Sequence, residues 1–272
     1  MSFIQFDFES QYLNSNTTIG IIIPEKPQYI EAERFYTKEK KFKVLWLLHG
    51  TYGDWSDWIR KTMLELYATE NDFLCVLPSA LNSDYTSWPS FALGYDMEKH
   101  LIKELMPLIH NWFPASDKKE DNYIAGLSMG GRGALSYILK YPDLFNAGGV
   151  FSYVPTDSST WDWKGDNPKQ RMGMSYLRFR NRVKNAGGKE EYLKEYDTYR
   201  QFFDMGKKKT LPKLLFTCGD QDSLYYKEFC IFKAECEKEK LDVRFMEEKG
   251  YAHEWRFWDD SLKAAFEFFK EC

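Results

Sequence analysis

Short, continuous apolar runs recur along the chain, and the longer segments between them repeat apolar residues at helical spacing. A short apolar run bounded by turn residues is typical of a buried strand. The strands predicted in this way are Phe3–Phe8, Thr18–Ile23, Val44–Leu48, Phe73–Leu77, Tyr123–Leu127, Gly148–Phe151, Leu214–Cys218 and Val243–Met246. Strands that alternate with helices favour an α/β fold, in which a mainly parallel central sheet carries helices on both faces.

The helices are predicted from their apolar faces. One helix begins near Trp58, and a longer one begins near Tyr95. The longer helix is expected to bury Met97, Leu101, Leu105, Leu108 and Trp112. Two later stripes are formed by Tyr225, Phe229, Phe232 and Cys236, and by Trp258, Leu262, Ala265, Phe266 and Phe269. Both stripes have the spacing of a helix face that packs on a core.

One turn between a predicted strand and a predicted helix carries a candidate nucleophile. The segment Gly126-Leu127-Ser128-Met129-Gly130-Gly131 places a serine between glycines, after an apolar strand and before a helix that Pro142 ends. Such a turn holds the serine at strained backbone angles with its hydroxyl exposed above the sheet. The flanking glycines allow strand and helix to pass closely, because a Cβ there would clash.

Carboxylates and a histidine follow two later strands. Asp220 and Asp222 lie beyond the run that ends at Cys218, and His253 follows the strand near Val243–Met246. Open α/β sheets place their chemistry at the carboxyl ends of strands. The order serine, aspartate, histidine is the order of the α/β-hydrolase triad. Asp220 follows the turn at once and is expected to bond nearby amides, whereas Asp222 lies far enough along to reach His253.

These residue types suit acyl transfer. A serine hydroxyl attacks a carbonyl well only when a base takes its proton, and histidine titrates near neutrality. An aspartate that accepts the other ring N–H fixes the tautomer. An oxyanion hole is also required. One donor is expected from the Met129 amide, and the second from Gly50 or Thr51, which follow the strand Val44–Leu48.

The chain resembles the tributyrin esterase branch of the esterase D and S-formylglutathione hydrolase superfamily. The resemblance rests on Leu47-Leu48-His49-Gly50, the Gly126–Gly131 turn, Cys218-Gly219-Asp220-Gln221-Asp222-Ser223-Leu224-Tyr225 and His253-Glu254-Trp255. It implies Ser128 as nucleophile, Asp222 as acid and His253 as base. It also implies Thr51 and Met129 as the oxyanion amides. The superfamily hydrolyses different esters and thioesters, so the resemblance implies the reaction more than the substrate.

The chain is expected to form a single α/β-hydrolase domain over residues 1–272, because 43% hydrophobic content can build one large core. The segment from Ser158 to Lys209 is too long for a plain connection and is rich in Trp, Tyr, Arg and Gly. It is predicted to form a small helical, cap-like insertion over the active site. Within it, Trp161 and Trp163 are expected either to contact substrate or to pack the insertion onto the body.

Charge and cysteine usage limit the partners and the compartment. The net charge of −4 argues against a nucleic-acid partner or an anionic membrane surface. No apolar run reaches membrane-spanning length, and Met1–Phe8 has the alternation of a strand and not the pattern of a signal peptide. Five cysteines without close repeated spacing suggest reduced thiols in the cytoplasm. A small-molecule ester is the expected partner, and a homo-oligomer is compatible with the sequence.

The other histidines have simpler interpretations. His100 and His110 lie on the long predicted helix and are expected to be surface or packing residues. His49 is expected to make structural hydrogen bonds beside the oxyanion loop. No cluster of His, Cys and Asp has the spacing of metal ligands, so neither a metal nor a cofactor is expected.

Three functions fit the sequence. The first is a serine carboxylesterase that acts on small acyl esters through an acyl-enzyme. The second is an acyltransferase that uses the same three residues, with an alcohol in place of water. The third is a non-catalytic binding protein on a hydrolase scaffold, against which the intact set of Ser128, Asp222 and His253 argues.

Overall fold

The central element of the computed structural model is an eight-stranded sheet; the structure describes residues 2–161, 163 and 176–272. The described residues form ten strands, which are β1 (Ser2–Ser10), β2 (Ser15–Ile23), β3 (Lys43–Leu48), β4 (Phe73–Leu77), β5 (Ser87–Trp88), β6 (Tyr95–Asp96), β7 (Asn122–Leu127), β8 (Ala147–Phe151), β9 (Lys213–Gly219) and β10 (Arg244–Glu248). The large sheet has the order β1-β2-β4-β3-β7-β8-β9-β10, while β5 and β6 form a separate two-stranded ribbon.

The strand predictions are confirmed, and so is the mainly parallel character of the sheet. Strands β4, β3, β7, β8, β9 and β10 pair in parallel, whereas β1 and β2 form an antiparallel edge. Each predicted strand lies within an observed one or within one residue of it. The sequence did not indicate the short β5–β6 ribbon, whose two-residue strands are too short to show a period.

The helices follow the strands in alternation. They are α1 (Ala32–Phe35), α2 (Asp57–Lys61), α3 (Leu64–Glu70), α4 (Met97–Lys99), α5 (Met106–Trp112), α6 (Met129–Lys140), α7 (Tyr176–Asn185), α8 (Lys189–Tyr196), α9 (Thr198–Lys207), α10 (Tyr226–Lys238) and α11 (Trp255–Lys270). A π-helical segment, His100–Leu105, joins α4 to α5. No helix within the described ranges is long and apolar enough to cross a membrane.

Both faces of the sheet are covered because successive residues of its buried strands point in opposite directions. In β3, Val44, Trp46 and Leu48 pack into one apolar cluster with the helix-borne residues of α6, α9 and α10. Leu45 and Leu47 pack into the other cluster, which includes the apolar face of α11. The predicted stripes on α10 and α11 are buried as expected.

Two helix predictions need correction. The helix expected from Trp58 is two short helices, α2 and α3, separated by Thr62 and Met63. The long helix from Tyr95 does not bury Trp112, whose side chain is 70% exposed. Met97, Leu101 and Leu105 are buried as predicted and Leu108 packs against the core, but Trp112 is the last residue of α5 and its ring meets Phe6 of the edge strand β1.

The segment between β8 and β9 contains a 3₁₀ turn, Ser158–Thr160, and helices α7, α8 and α9. Within the predicted insertion, residue 162 and residues 164–175 lie outside the described residues. Trp161 and Trp163 pack against Phe179 and Tyr192, with ring centroids 5.5 to 6.3 Å apart. These two tryptophans therefore pack the described part of the insertion together.

Candidate active site

Ser128 lies on a sharp turn between β7 and α6. Its backbone has φ 52° and ψ −112°, which is a strained conformation for a residue with a side chain, at a cost of about 1–3 kcal/mol. Its amide donates to the carbonyl of Phe151 on the next strand, at 2.8 Å, and this bond holds the turn in place. The hydroxyl therefore stands at the carboxyl edge of the sheet.

Close packing explains the glycines beside the serine. A Cβ on Gly126 would lie 2.5 Å from the carbonyl group of Gly130. A Cβ on Gly130 would lie 2.3 Å from the carbonyl oxygen of Leu48. Both contacts are with backbone, which cannot move aside without displacing β3 or α6. The turn therefore requires glycine at both positions, as the sequence predicted.

His253 and Asp222 are brought together from two loops. The Nδ1–H of His253 donates to Oδ2 of Asp222 at 2.7 Å. Since a carboxylate can only accept, Nδ1 carries the proton and Nε2 is left as an acceptor. The other carboxylate oxygen accepts from the amides of Leu224 at 2.9 Å and Tyr225 at 3.1 Å. Asp222 is buried, and these bonds fix its orientation.

Aromatic rings hold the imidazole in place. The ring of His253 stacks on Tyr225, with centroids 5.6 Å apart, and meets Trp258 edge-on at 4.9 Å. Asp220 takes no part in this arrangement. Its side chain accepts from the Gly250 amide at 2.7 Å and from the Gln221 side chain at 3.1 Å. The structure thus places Asp222 next to His253 and leaves Asp220 as a turn residue.

A single cleft of about 420 Å³ contains Ser128 and His253. Its other walls are Gly50, Thr51, Tyr52, Asp57, Lys61, Leu127, Arg178, Leu224, Trp255 and Trp258. The four connections that follow β3, β7, β9 and β10 meet at this cleft with the described part of the insertion. The candidate nucleophile, the histidine and the candidate oxyanion residues Gly50 and Thr51 therefore share one space.

Hydrogen bonds fix the orientation of the peptide groups in the loop after β3. The Gly50 carbonyl accepts from Nδ1 of His49 at 2.7 Å and from the Gly53 amide at 3.2 Å. The Tyr52 amide is used by the Asn82 side chain at 2.8 Å. Because a trans peptide group is planar, the Thr51 N–H points away from the Gly50 carbonyl. Among the described residues, the Thr51 amide has no acceptor.

Met129 is the first residue of α6, so its amide has no acceptor within the helix. The described residues offer it none elsewhere. An amide at the first turn of a helix is a ready donor to an anion. Among the described residues, the amides of Thr51 and Met129 are thus both without an acceptor, on two loops that border the same cleft.

His49 makes structural hydrogen bonds, as the sequence predicted. It is fully buried, and its Nε2 accepts from the Ala80 amide at 2.9 Å. The proton is therefore on Nδ1, where it donates to the Gly50 carbonyl. Burial lowers the pKa of His49, so the ring stays neutral near pH 7.

His100 and His110 are packing residues. His100 is buried and bonds to Glu104 at 2.7 Å, and His110 bonds to the Asn122 side chain at 3.2 Å. Burial lowers the pKa of both rings. Neither histidine lines the cleft.

The sequence did not single out Arg178 or Asp84. Arg178 lines the cleft from α7, and its Nε donates to the Asp84 carboxylate at 3.0 Å. The two residues are far apart in the chain, so no local pattern could have paired them. Within the described ranges, no three His, Cys, Asp or Glu side chains are grouped as metal ligands.

The strand order and the serine turn at the carboxyl edge of the sheet define an α/β-hydrolase. A family model described as putative esterase matches residues 10–269, and the chain belongs to this family. The fold and the family make it a serine ester hydrolase, and they confirm the predicted membership of the esterase D-like superfamily.

Individual relatives are distant but match over nearly the whole length. The acetyl esterase of Caldicellulosiruptor saccharolyticus is 28% identical, over 98% of this chain and 97% of the relative. Two Staphylococcus aureus structures have TM-scores of 0.77 and 25% identity, with 98% of both chains covered. They are the fluorophosphonate-binding serine hydrolase FphF with bound substrate, and the S-formylglutathione hydrolase FrmB as an apoenzyme.

Proposed function

We propose that this chain is a carboxylesterase for small acyl groups, with Ser128 as nucleophile, His253 as base and Asp222 as the residue that orients the base. The observation that carries the proposal is the 2.7 Å bond from His253 Nδ1 to Asp222, within a site whose cleft also contains Ser128. That bond leaves Nε2 as the acceptor that a serine hydroxyl requires.

The reaction follows from these roles. His253 Nε2 takes the hydroxyl proton as Ser128 Oγ bonds to the ester carbonyl carbon. The carbonyl oxygen becomes an oxyanion that accepts from the amides of Thr51 and Met129. The imidazolium then gives its proton to the departing alkoxide, which leaves as the alcohol. Water then attacks the carbonyl carbon of the acyl-enzyme in the same way, with His253 as the base, and this step releases the acid and restores Ser128.

Several observations support a small acyl group. One curated relative is an acetyl esterase, and it matches over almost its whole length. In the described part of the cleft, apolar contacts come from Leu127, Leu224, Trp255 and Trp258, while Lys61 and Arg178 bring charge into the same space. A long acyl chain would have to displace water from these charged groups, which is costly.

The test is covalent labelling of Ser128 with a fluorophosphonate probe. We expect stoichiometric labelling of the native chain, none of Ser128→Ala, and a loss of roughly 10⁴–10⁶ in kcat for that variant. Ser136→Ala, on the same helix, is the control and should be labelled at the native rate. Retention of a tenth of the activity in folded Ser128→Ala would exclude the assignment, and absence of labelling in native protein would favour a binding protein.

The same assay separates hydrolysis from acyl transfer. The acyl-enzyme is formed from an activated acetyl ester in the presence of added alcohols, and the acid and the new ester are quantified. We expect the acid to dominate. A new ester as the main product at millimolar alcohol would assign the chain as an acyltransferase.

The organisation and location of the chain are also proposed. We place residues 1–272 in a single domain, with a cap-like insertion at about 158–209. Helices α7, α8 and α9 support this assignment, since they lie between two strands of one sheet. We place the protein in the cytoplasm, because all five cysteines are free thiols and such thiols persist in reducing compartments.

A further inference from the structure

Residue 51 is held from two sides. On its N-terminal side, the Gly50 carbonyl is fixed by His49 and by the Gly53 amide. Its side chain is held as well, because Thr51 Oγ1 accepts a hydrogen bond from Nη1 of Arg178 at 3.0 Å. The peptide plane and the side chain are thus fixed independently, and together they determine where the Thr51 amide points.

Arg178 is itself rigidly held. Its Nε donates to Oδ2 of Asp84 at 3.0 Å, and its Nη2 donates to Oδ1. A two-pronged pairing of this kind fixes the plane of the guanidinium as well as its position. The side chain of Asp84 is 3% exposed and also faces Arg182, at 3.5 Å.

The carboxylate of Asp84, which holds Arg178, stays ionised. Burial alone would raise the pKa of Asp84, but the positive charges of three nearby arginines hold that pKa below its usual range. With Nε and Nη2 of Arg178 held by this carboxylate, the remaining nitrogen, Nη1, is fixed where it donates to Thr51. The bond spans 127 positions of the chain and connects α7 of the insertion to the oxyanion loop.

We propose that Arg178 is a positioning residue for the oxyanion hole, which it serves by fixing Thr51 through Oγ1. The inference rests on the proposed function, because it assigns a purpose to the amide that stabilises the oxyanion. A preorganised donor contributes most when it does not have to move during the reaction. Without Arg178, the loop keeps its His49 contact but loses the restraint on the side chain of residue 51.

The expected signature is kinetic. The oxyanion forms in the transition state and not in bound substrate, so a misplaced amide lowers kcat and leaves KM nearly unchanged. Arg178→Met keeps the length of the side chain and removes every donor. We expect it to lower kcat about 10–100-fold, in line with a displacement of about 1 Å at a catalytic group. Labelling of Ser128 by a fluorophosphonate should slow in parallel, since the phosphonyl oxygen uses the same amides.

Thr51→Val tests the same bond without touching Asp84. Valine keeps the branched side chain and the amide but offers no acceptor. It should lower kcat to a similar extent, and Thr51→Ser should lie between Thr51→Val and the native chain. The double variant Arg178→Met/Thr51→Val should be little worse than either single variant, because both remove one interaction. Arg200→Met, whose side chain is 79% exposed, is the matched control and should behave as native.

Three results would overturn the proposal. One is a kcat for folded Arg178→Met or Thr51→Val within twofold of native. Another is a raised KM with native kcat in Arg178→Met, which would mean that the guanidinium binds substrate. The third is a double variant in which the fold-loss of kcat equals the product of the losses in the two single variants. If Arg178→Met does not fold, Thr51→Val decides. Failure of the proposed function is separate, since native protein would then show no labelled Ser128.

Discussion

Replacing Asp222 by asparagine should invert the tautomer of His253. Oδ1 of Asp222 accepts from the amides of Leu224 and Tyr225, so an asparagine must keep its carbonyl oxygen on that side. Its NH₂ group then faces His253 Nδ1 in place of the oxygen at 2.7 Å. Because NH₂ only donates, Nδ1 must become an acceptor and the ring proton moves to Nε2. The ring can then no longer accept the proton of Ser128.

The loss can be estimated from this geometry. An inverted tautomer typically costs on the order of 10⁴ in kcat, or about 5.4 kcal/mol at 1.36 kcal/mol per factor of ten. The amide bonds to the side chain remain, so the thermal midpoint should change little. The assay is steady-state hydrolysis of a chromogenic acetyl ester by Asp222→Asn, with the thermal midpoint measured on the same sample.

Asp220→Asn is the matched control. Asp220 accepts from the Gly250 amide and the Gln221 side chain and does not contact His253. Asparagine keeps an oxygen that can accept both bonds and loses only the charge that strengthens them, so Asp220→Asn should lower the stability by about 1 kcal/mol at most, with kcat nearly native. A larger kcat loss in folded Asp220→Asn than in Asp222→Asn would refute the reasoning.

Further predictions concern substrate, pH and packing. Acetyl to butyryl esters should have higher kcat/KM than octanoyl esters, and a series that rises through decanoyl would contradict the small-acyl proposal. The free energy of unfolding should fall as the pH drops below about 6.5. The pKa values of His49 and His100 are lowered in the folded chain, so these two side chains bind protons more readily in the unfolded chain. Urea midpoints at pH 7.5, 6 and 5 measure this, and a constant midpoint would disprove it. Gly130→Ala should lower both kcat and thermal midpoint, since its Cβ would meet the Leu48 carbonyl oxygen at 2.3 Å, and native values for both would refute the steric argument.

The strands and the serine turn could be predicted from the sequence because each depends on residues that are close together in the chain. A buried strand needs an unbroken apolar run, and the turn at Ser128 needs glycines within two positions on either side. The preference for Asp222 over Asp220 as the acid also came from local spacing. It stays a prediction, which the hydrogen bond from His253 to Asp222 supports.

The long helix shows where local reading fails. A regular 3.6-residue period places Trp112 on the buried face, and the residues before it on that face, Leu101 and Leu105, are buried. Trp112 itself is exposed, because it is the last residue of α5 and lies beside Phe6 of the edge strand β1. How far the core extends beneath the end of a helix depends on the tertiary packing, which the local period does not show.

The sequence by itself determined the sheet, the hydrolase class and the candidate nucleophile, because each depends on residues that are close in the chain. Only the tertiary structure decided how the site is held. The Asp222–His253 bond joins two loops, and the Arg178 contacts join the insertion to Asp84 and to Thr51. Such contacts depend on the path of the backbone between distant residues. That path is set by the packing of the whole core and not by any local pattern.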